Sequence, residues 1–301
     1  MASTELDLHA ARVVTDAAER LRAAGSPTPR LDAEVLVSHA FGRDRAWLHA
    51  HPEAVLDVDV AAELASWVDR RAEGEPIAYI RGFKDWFSLR LATDARALIP
   101  RPETELLAES AIAEIAARLA RDTEPITVWD VGTGSGALIL ALGLRFKTAV
   151  ALARVRLIAS DASADALELA AENLRAHGVA GAVALACSSL LESAGGWLPA
   201  PDVIVTNLPY VPSDEVTSRA GSLRYEPVAA LDGGPDGLDA VHALLAQLPA
   251  RLAPGGVALL EIGAGQAEAV RALAEELPMR CAISSFPDLA GIDRVVRIAR
   301  I

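Results

Sequence analysis

Apolar segments of strand length alternate with segments of helical periodicity from residue 126 to residue 276. This alternation predicts a series of strands, most of which are connected to the next strand by a helix. The predicted strands are 126–131, 155–160, 182–186, 202–206 and 257–262, and the predicted helices are 136–147, 163–176, 238–252 and 266–276. Strands that alternate with helices in this way are typical of a parallel sheet covered by helices on both faces.

The C-terminal segment departs from this alternation. Residues 280–285 and 294–301 have the pattern of two strands with no helix between them, so they must form an antiparallel hairpin at the edge of the sheet. A plain dinucleotide-binding fold would add another crossover helix at this point. We therefore predict an α/β fold, namely the seven-stranded, doubly wound sheet of class I methyltransferases with a terminal antiparallel hairpin.

The residues before 126 are organised differently. Apolar residues recur at helical spacing and predict a small N-terminal helical bundle, with helices at 6–21, 31–41, 44–50 and 59–73. Trp86–Leu91 alternates as a strand would, with Ala97–Ile99 as its hairpin partner, and a helix follows to about Ala120. The predicted domains are a helical domain at 1–83, a β-hairpin linker at 84–100 and the α/β domain at 101–301.

The charge of the chain argues against a nucleic-acid partner. Lys and Arg number 28 and Asp and Glu 41, which gives a net charge of −13, whereas binding to a phosphate backbone depends on clustered basic residues. No apolar run approaches the roughly 18 residues of a membrane span, and the N-terminus lacks the features of a secretory leader. We expect a cytoplasmic monomer that binds neither nucleic acid directly nor a membrane.

The residues that commonly bind metals show no ligand spacing. Cys187 and Cys281 are too few for a disulfide framework or a four-ligand zinc site. Each lies in an apolar stretch, so we expect two buried free thiols. The six histidines are scattered along the chain, and no metal site is predicted.

A glycine-rich loop joins the first predicted strand of the sheet to the helix that follows. Its sequence is Asp130-Val131-Gly132-Thr133-Gly134-Ser135-Gly136. Glycine lets the turn tighten and lets a ligand approach the backbone, and the helix N-terminus offers free N–H groups. With Ala137 the spacing also satisfies a relaxed Gly-x-Gly-x-x-Ala fingerprint. The loop therefore suits both nicotinamide dinucleotides and S-adenosylmethionine.

Asp161 ends the second predicted strand of the sheet, in Ile158-Ala159-Ser160-Asp161. A carboxylate at this position can accept hydrogen bonds from both hydroxyls of an adenosine ribose. The other interpretation is an N-cap for the helix that starts near Ala164, which the neighbouring Ser163 could equally supply. We favour ribose binding, because the end of this strand and the glycine loop converge at the carboxyl edge of the sheet.

The segment Asn207-Leu208-Pro209-Tyr210 follows the fourth predicted strand. It resembles the Asn-Pro-Pro-Tyr tetrad of methyltransferases that act on amide or exocyclic amino nitrogens. An amide nitrogen is a poor nucleophile because its lone pair is delocalised. The resemblance implies that the Asn side-chain oxygen and the next backbone carbonyl accept hydrogen bonds from this nitrogen and aim its lone pair, while the aromatic ring packs on the planar group. Positioning then supplies much of the catalysis.

One position departs from the tetrad, because Leu208 replaces the first proline. The residue at this position is expected to act through its backbone carbonyl, which leucine retains. Pro209 still favours an extended conformation at Leu208. We therefore expect activity to persist with looser preorganisation.

The chain as a whole resembles bacterial peptide chain release factor glutamine N5-methyltransferases. Besides the glycine loop and the tetrad, the resemblance rests on the segments 30–34, 74–80, 82–89, 98–105, 224–227, 230–234, 260–263 and 288–294. It implies methyl transfer from S-adenosylmethionine, with S-adenosylhomocysteine as product, to the glutamine of the Gly-Gly-Gln loop in class 1 release factors. By position, it assigns cofactor binding to Asp130, Gly132, Thr133, Gly134, Ser135, Gly136, Asp161, Ser189 and Asn207, and catalysis and glutamine binding to Asn207, Leu208, Pro209 and Tyr210.

Two features differ from the family pattern. The acidic residue that the family places near the adenine has no counterpart, and Ser189 is the nearest match, so weaker cofactor binding is expected. Residues 145–154 look like an insertion on the surface, remote from the chemistry.

Three other functions fit parts of the sequence. The methyl group could go to a ribosomal-protein glutamine or to adenine, although the net charge counts against a nucleic-acid substrate. A nicotinamide-dependent oxidoreductase would explain the glycine loop but neither the tetrad nor the terminal hairpin. A non-catalytic protein that has kept the cofactor-binding fold would explain the departures at Leu208 and Ser189.

Overall fold

A computed structural model describes residues 7–192, 199–218 and 221–301. The chain divides into two compact units, and the boundary falls between Phe83 and Lys84. A short segment that ends at Tyr225 also belongs to the first unit. Each unit has an apolar core of its own.

The first unit is helical. Its helices are α1 (Ala10–Ala23), α2 (Pro29–Ala40), α3 (Arg45–Ala50), α4 (Val58–Ala72) and α5 (Ile77–Arg81). Leu21, Leu36 and Leu64 are among the apolar side chains buried between them. Asp32 is also buried, and its Oδ2 accepts hydrogen bonds from Ser26 Oγ and from Arg71 Nε, both at 2.7 Å. This buried pair fixes the start of α2 against the end of α4.

A two-stranded hairpin follows, made of β1 (Phe83–Trp86) and β2 (Leu89–Ala92). The prediction of one strand over Trp86–Leu91 with Ala97–Ile99 as its partner is wrong. Phe87 and Ser88 form the turn, with φ angles of 49° and 61°, and Ala97–Ile99 is not a strand. The alternating pattern is misleading here because two non-glycine residues adopt the left-handed conformation that a tight hairpin turn requires.

The second unit contains a seven-stranded sheet. Its strands are β3 (Ile126–Val131), β4 (Val155–Asp161), β5 (Val183–Cys187), β6 (Val203–Thr206), β7 (Val257–Glu261), β8 (Cys281–Pro287) and β9 (Asp293–Arg300). The order across the sheet is β5-β4-β3-β6-β7-β9-β8. Strands β3 to β7 pair in parallel, and β9 pairs antiparallel with both β7 and β8. The predicted parallel sheet with a terminal antiparallel hairpin is confirmed.

Helices cover both faces of this sheet. The helices of the unit are α6 (Thr104–Arg121), α7 (Ala137–Arg145), α8 (Lys147–Ala151), α9 (Ala164–Ala176), α10 (Ser213–Thr217), α11 (Asp239–Arg251) and α12 (Ala267–Glu275). Successive strand residues pack into different cores: Val128 packs with α6 and α7, and Trp129 packs with α11 and α12. Because successive side chains of a strand point to opposite faces, the two cores lie on opposite sides of the sheet.

The predicted insertion at 145–154 is largely helical. It contains α8 and ends at Arg154, whose carbonyl accepts a hydrogen bond from Ile126 N at the amino end of β3. The insertion therefore lies at the amino ends of the strands, whereas the glycine loop follows the carboxyl end of β3.

The expectation of buried thiols is wrong, because Cys187 is exposed and Cys281 is partly exposed. Cys187 lies in β5 and Cys281 in β8, which are the two edge strands of the sheet. In an edge strand, an apolar sequence pattern does not ensure that a side chain is buried. Among the residues that the structure describes, no helix has the length and apolar character needed to cross a membrane, and no group of acidic, His and Cys residues could hold a metal ion.

Asn173 of α9 connects three parts of the second unit. It is 1% exposed. Its Oδ1 accepts a hydrogen bond from Ala92 N at 2.7 Å, and its Nδ2 donates to Ala92 O at 3.2 Å and to Ser135 O at 2.9 Å. One side chain therefore joins the hairpin and the glycine loop to the same helix.

We expect Asn173→Ala to lower the free energy of unfolding by about 2–4 kcal/mol, because it leaves buried backbone groups without partners. Urea denaturation monitored by circular dichroism measures this change. His177→Ala is the matched control, since His177 Nε2 also contacts the hairpin, at Arg90 O, but the residue is partly exposed. The control should cost about 0.5 kcal/mol or less, and equal losses in the two variants would contradict the role of Asn173.

Candidate active site

The carboxyl ends of β4, β3 and β6 are neighbours at one edge of the sheet. A cavity of about 360 Å³ lies over them, which is within the size range of cofactor sites. The residues predicted for the cofactor and the substrate are brought together there. Those that line the cavity are Asp130, Gly132, Thr133, Gly134, Ser135, Asp161, Ser189, Asn207, Leu208 and Pro209.

The glycine loop has a shape that only glycine adopts easily. Gly132, Gly134 and Gly136 have φ angles of 71°, 54° and 78°. A Cβ at Gly136 would lie 3.0 Å from Ala170 Cβ, so the start of α7 packs closely on α9. Gly136 is therefore required for packing and does not line the cavity.

Several backbone N–H groups of this loop already have acceptors within the protein. Gly132 N and Thr133 N donate to Ser160 O at 2.8 and 2.9 Å, and Gly136 N donates to Thr133 O at 2.9 Å. Gly134 N donates to Asp161 Oδ2 at 2.9 Å. These four N–H groups therefore fix the shape of the loop that precedes α7, and they are not among the groups that a ligand could use.

Asp130 stabilises the glycine loop through a buried hydrogen bond. It is 1% exposed, and its Oδ2 accepts a hydrogen bond from Thr133 Oγ1 at 2.6 Å. Burial raises the pKa of Asp130 to about 7, and the negative charge of Asp161 adds to the effect. The hydrogen bond from Thr133 opposes this rise.

Asp161 stands at the end of β4 and lines the cavity. Oδ2 accepts from the loop at Gly134 N, and Oδ1 accepts from Ser163 N at 2.9 Å. Ser163 is the N-cap of α9, because its Oγ accepts from Ala166 N at 3.2 Å. The capping role weighed for Asp161 therefore belongs to Ser163. Each carboxylate oxygen of Asp161 keeps further acceptor capacity.

Asn207 follows β6, and its Nδ2 donates to Thr104 Oγ1 at 3.1 Å. Leu208 is 7% exposed, so its side chain is part of the core.

Tyr210 is not among the residues that line the cavity, and its hydroxyl donates to Glu261 Oε1 at 3.4 Å. Burial raises the pKa of Tyr210 to about 12, with the charge of Glu261 as the next cause. Tyr210 is therefore a neutral phenol near neutral pH.

Sequence reasoning assigned no role to Thr104 or Glu226, although both belong to segments that carry the family resemblance. Thr104 lines the cavity and contacts Asn207. Glu226 is 2% exposed and accepts hydrogen bonds from Arg101 Nη2 at 2.6 Å and from Ile99 N at 3.0 Å. The available signals were the threonine at the first position of α6 and Arg101, three residues before it. Their partners, however, are distant in sequence.

The comparisons with known proteins agree on one family. Residues 12–82 match the model of the PrmC N-terminal domain. The release factor glutamine methyltransferase of Deinococcus radiodurans is 36% identical over 288 residues, which cover 96% of this chain and 97% of that protein. The enzyme of the same name from Moorella thermoacetica is 38% identical over 279 residues, which cover 93% and 94%. This chain belongs to the release factor glutamine methyltransferase family.

Solved structures agree on the fold. The hMettl16 catalytic domain in complex with MAT2A 3′UTR hairpin 6 superposes with a TM-score of 0.52 at 12% identity, and the match covers 80% of this chain and 82% of that one. At such low identity the likeness concerns the fold alone. The second unit of this family member is thus a class I methyltransferase fold.

We expect Gly136→Ala to cost about 2–4 kcal/mol of unfolding free energy, because it combines a strained left-handed backbone with an added methyl group against Ala170. Gly178→Ala is the matched control, since Gly178 has a φ of 70° and no atom within 4 Å of the added Cβ. The control should cost only about 1–2 kcal/mol. Thermal or urea unfolding measures both, and equal costs would show that α7 does not need this close approach to α9.

Proposed function

We propose that this protein transfers the methyl group of S-adenosylmethionine to the side-chain amide nitrogen N5 of the glutamine in the Gly-Gly-Gln loop of class 1 peptide chain release factors. The observation that carries the proposal is the arrangement of Asn207. Its Nδ2 is occupied by Thr104, which leaves Oδ1 as an acceptor in the same cavity as the glycine loop. Relatives that are named release factor glutamine methyltransferases match almost the whole chain.

The residues of the cavity fit S-adenosylmethionine better than a dinucleotide. Four N–H groups of the loop before α7 are used within the protein, so they are not available to a pyrophosphate. The carboxylate of Asp161, and that of Asp130 above about pH 7, would also repel a phosphate and would attract a cationic sulfonium. The glycine loop, Asp161 and Ser189 would hold the cofactor, which when bound supplies a methyl group on a sulfur that departs readily as a thioether.

The substrate amide needs acceptors for its two N–H groups and no strong base. Asn207 Oδ1 and the backbone carbonyl of Leu208 would accept these hydrogen bonds and keep the nitrogen lone pair directed at the methyl group. The nitrogen loses its proton after attack, when it is strongly acidic. Holding the two reactants in this geometry supplies the rate enhancement. Tyr210 does not line the cavity and its neutral phenol bonds to Glu261, so packing of its ring on the substrate amide stays an expectation of the family resemblance.

We assign the helical domain at 1–83 to recognition of the release factor, the segment 84–100 to the link between domains, and residues 101–301 to cofactor binding and chemistry. Support comes from the match of the PrmC N-terminal domain to residues 12–82 and from the location of the cavity in the second unit. The enzyme would act as a monomer in the cytoplasm. Its net charge of −13 favours a protein substrate over a nucleic acid.

Mass spectrometry of a class 1 release factor co-expressed with this protein tests the proposal. We expect one added methyl group, on the loop glutamine. Asn207→Ala should lower the methylation rate by about a hundredfold or more, because the substrate amide is no longer positioned. Binding of S-adenosylmethionine, measured by calorimetry, should change little. A methyl group on a ribosomal protein or on adenine, with none on the release factor, would contradict the assigned substrate.

Ser189 lines the cavity after β5, at the position where the family resemblance implies an acidic residue near the adenine. We expect Ser189→Asp to tighten binding of S-adenosylmethionine by about tenfold, since a charged acceptor forms a hydrogen bond that is stronger by about 1 kcal/mol or more. Ser189→Ala should weaken binding. Equal affinities for the wild type and the Asp variant would show that Ser189 already satisfies the cofactor or does not reach it.

A further inference from the structure

The side-chain amide of Gln266 joins three loops beside the Asn207–Tyr210 tetrad. Gln266 is the residue just before α12, in the loop that follows β7. Its Oε1 accepts a hydrogen bond from Gly263 N at 2.8 Å. Its Nε2 donates to Tyr210 O at 3.1 Å and to Gly237 O at 3.3 Å. One half-buried side chain therefore connects the loop after β7 to the tetrad and to the loop before α11.

The chemistry of the three partners fixes the orientation of this amide. A backbone carbonyl only accepts hydrogen bonds, and a backbone N–H only donates them. The oxygen of Gln266 must therefore face Gly263 N, and its NH₂ group must face the two carbonyls. An amide is the only side-chain group that offers an acceptor oxygen together with an NH₂ donor. No other residue type of this length can make the same three hydrogen bonds.

The loop before α11 also lies directly against the backbone of the tetrad. A Cβ on Gly233 would lie 2.7 Å from Pro209 O, and a Cβ on Gly237 would overlap Tyr210 O. Gly233 N donates a hydrogen bond to Val211 O at 2.9 Å. The two glycines therefore let this loop approach the carbonyls of the tetrad more closely than a residue with a side chain could.

The tetrad depends on such contacts because it lies beyond the sheet. β6 and its pairing with β3 and β7 end one residue before the tetrad. At the first position of the tetrad, the Asn207 side chain is held by Thr104. At the last position, the Tyr210 carbonyl is held by Gln266, which does not line the cavity. The Leu208 carbonyl lies between these two anchors in the chain.

We infer that Gln266 is a positioning residue for methyl transfer, which holds the tetrad so that Asn207 Oδ1 and the Leu208 carbonyl meet the substrate amide. This inference rests on the proposed function and deepens it. Methyl transfer to a weakly nucleophilic amide depends on alignment, and a small displacement of one reactant costs much of the rate. Gln266 needs no contact with cofactor or substrate for this role.

Two substitutions separate the hydrogen bonds of Gln266 from its bulk. Gln266→Met keeps the length of the side chain but makes none of the three bonds. Gln266→Glu keeps the acceptor for Gly263 N but turns a carboxylate oxygen toward two carbonyl oxygens. In methylation of a release factor, we expect the turnover number to fall on the order of tenfold in the Met variant and toward a hundredfold in the Glu variant.

Binding of S-adenosylmethionine should not follow this loss. Because Gln266 does not line the cavity, the dissociation constant measured by calorimetry should stay within about twofold of the wild type in both variants. A loss of cofactor binding in proportion to the loss of turnover would overturn the inference, since it would show a general disturbance of the cavity.

Gly178→Ala is the control for stability. Gly178 does not line the cavity, and its alanine variant carries backbone strain without a new contact. Well below the melting temperature, its turnover number should match that of the wild type. Equal losses of turnover in Gly178→Ala and in the Gln266 variants would show that the rate follows stability, and this would overturn the inference.

Amide hydrogen exchange tests the positioning without the reaction. In Gln266→Met, the amides of residues 207–211 should exchange about tenfold faster than in the wild type, because the tetrad loses an anchor. The amides of β4 should exchange as in the wild type. Unchanged exchange at 207–211 would overturn the inference.

The wild type separates this inference from the proposed function. If the wild type leaves the release factor unmethylated, the proposed function is wrong, and the role of Gln266 in methyl transfer is wrong with it. If the wild type methylates the glutamine and Gln266→Met is equally fast, only the positioning role is wrong. Slow turnover and faster exchange at the tetrad, in a variant that binds S-adenosylmethionine as the wild type does, would support both.

Discussion

The parallel pairing of β3 with β4 on one side and with β6 on the other is the constraint on which the site depends. The register pairs Val131 with Ser160 and with Thr206. The residues just beyond these strand ends are therefore neighbours, although they are far apart in sequence. Gly132, Asp161 and Asn207 meet at one edge for this reason, and the hydrogen bonds of the glycine loop to Ser160 and Asp161 then lock the loop to the neighbouring strand.

The sheet and the positions of its strand ends could be predicted from the sequence because the periodicity of buried segments is a local signal. The same reasoning failed at Phe87 and Ser88, where two residues with positive φ form a turn within an alternating pattern. It also failed for Cys187, because burial depends on which strands lie at the sheet edge. The bond from Asn207 to Thr104 joins residues 103 positions apart, so it is a property of the packed fold that no local pattern reveals.

Two buried carboxylates give the site its electrostatic character. Asp130 lies one residue before the end of β3, and Glu261 is the last residue of β7. Burial raises the pKa of each carboxyl group to about 7. An unfolded chain ionises such groups near pH 4–5, so the folded state loses stability as the pH rises from there to about 7 and stays less stable above it. Above about pH 7 the ionised Asp130 places negative charge beside the cavity, and this ionisation costs the fold stability.

The leucine in place of the first tetrad proline shows how packing can substitute for a rigid ring. The Leu208 side chain is buried, and a Cβ placed on Gly132 would lie 3.3 Å from its Cδ2. The position of the Leu208 backbone is therefore set by contact with the glycine loop on one side and by Pro209 on the other. The Leu208 backbone carbonyl, which we propose accepts a hydrogen bond from the substrate amide, is held through the core, and the tetrad and the glycine loop become one packed unit.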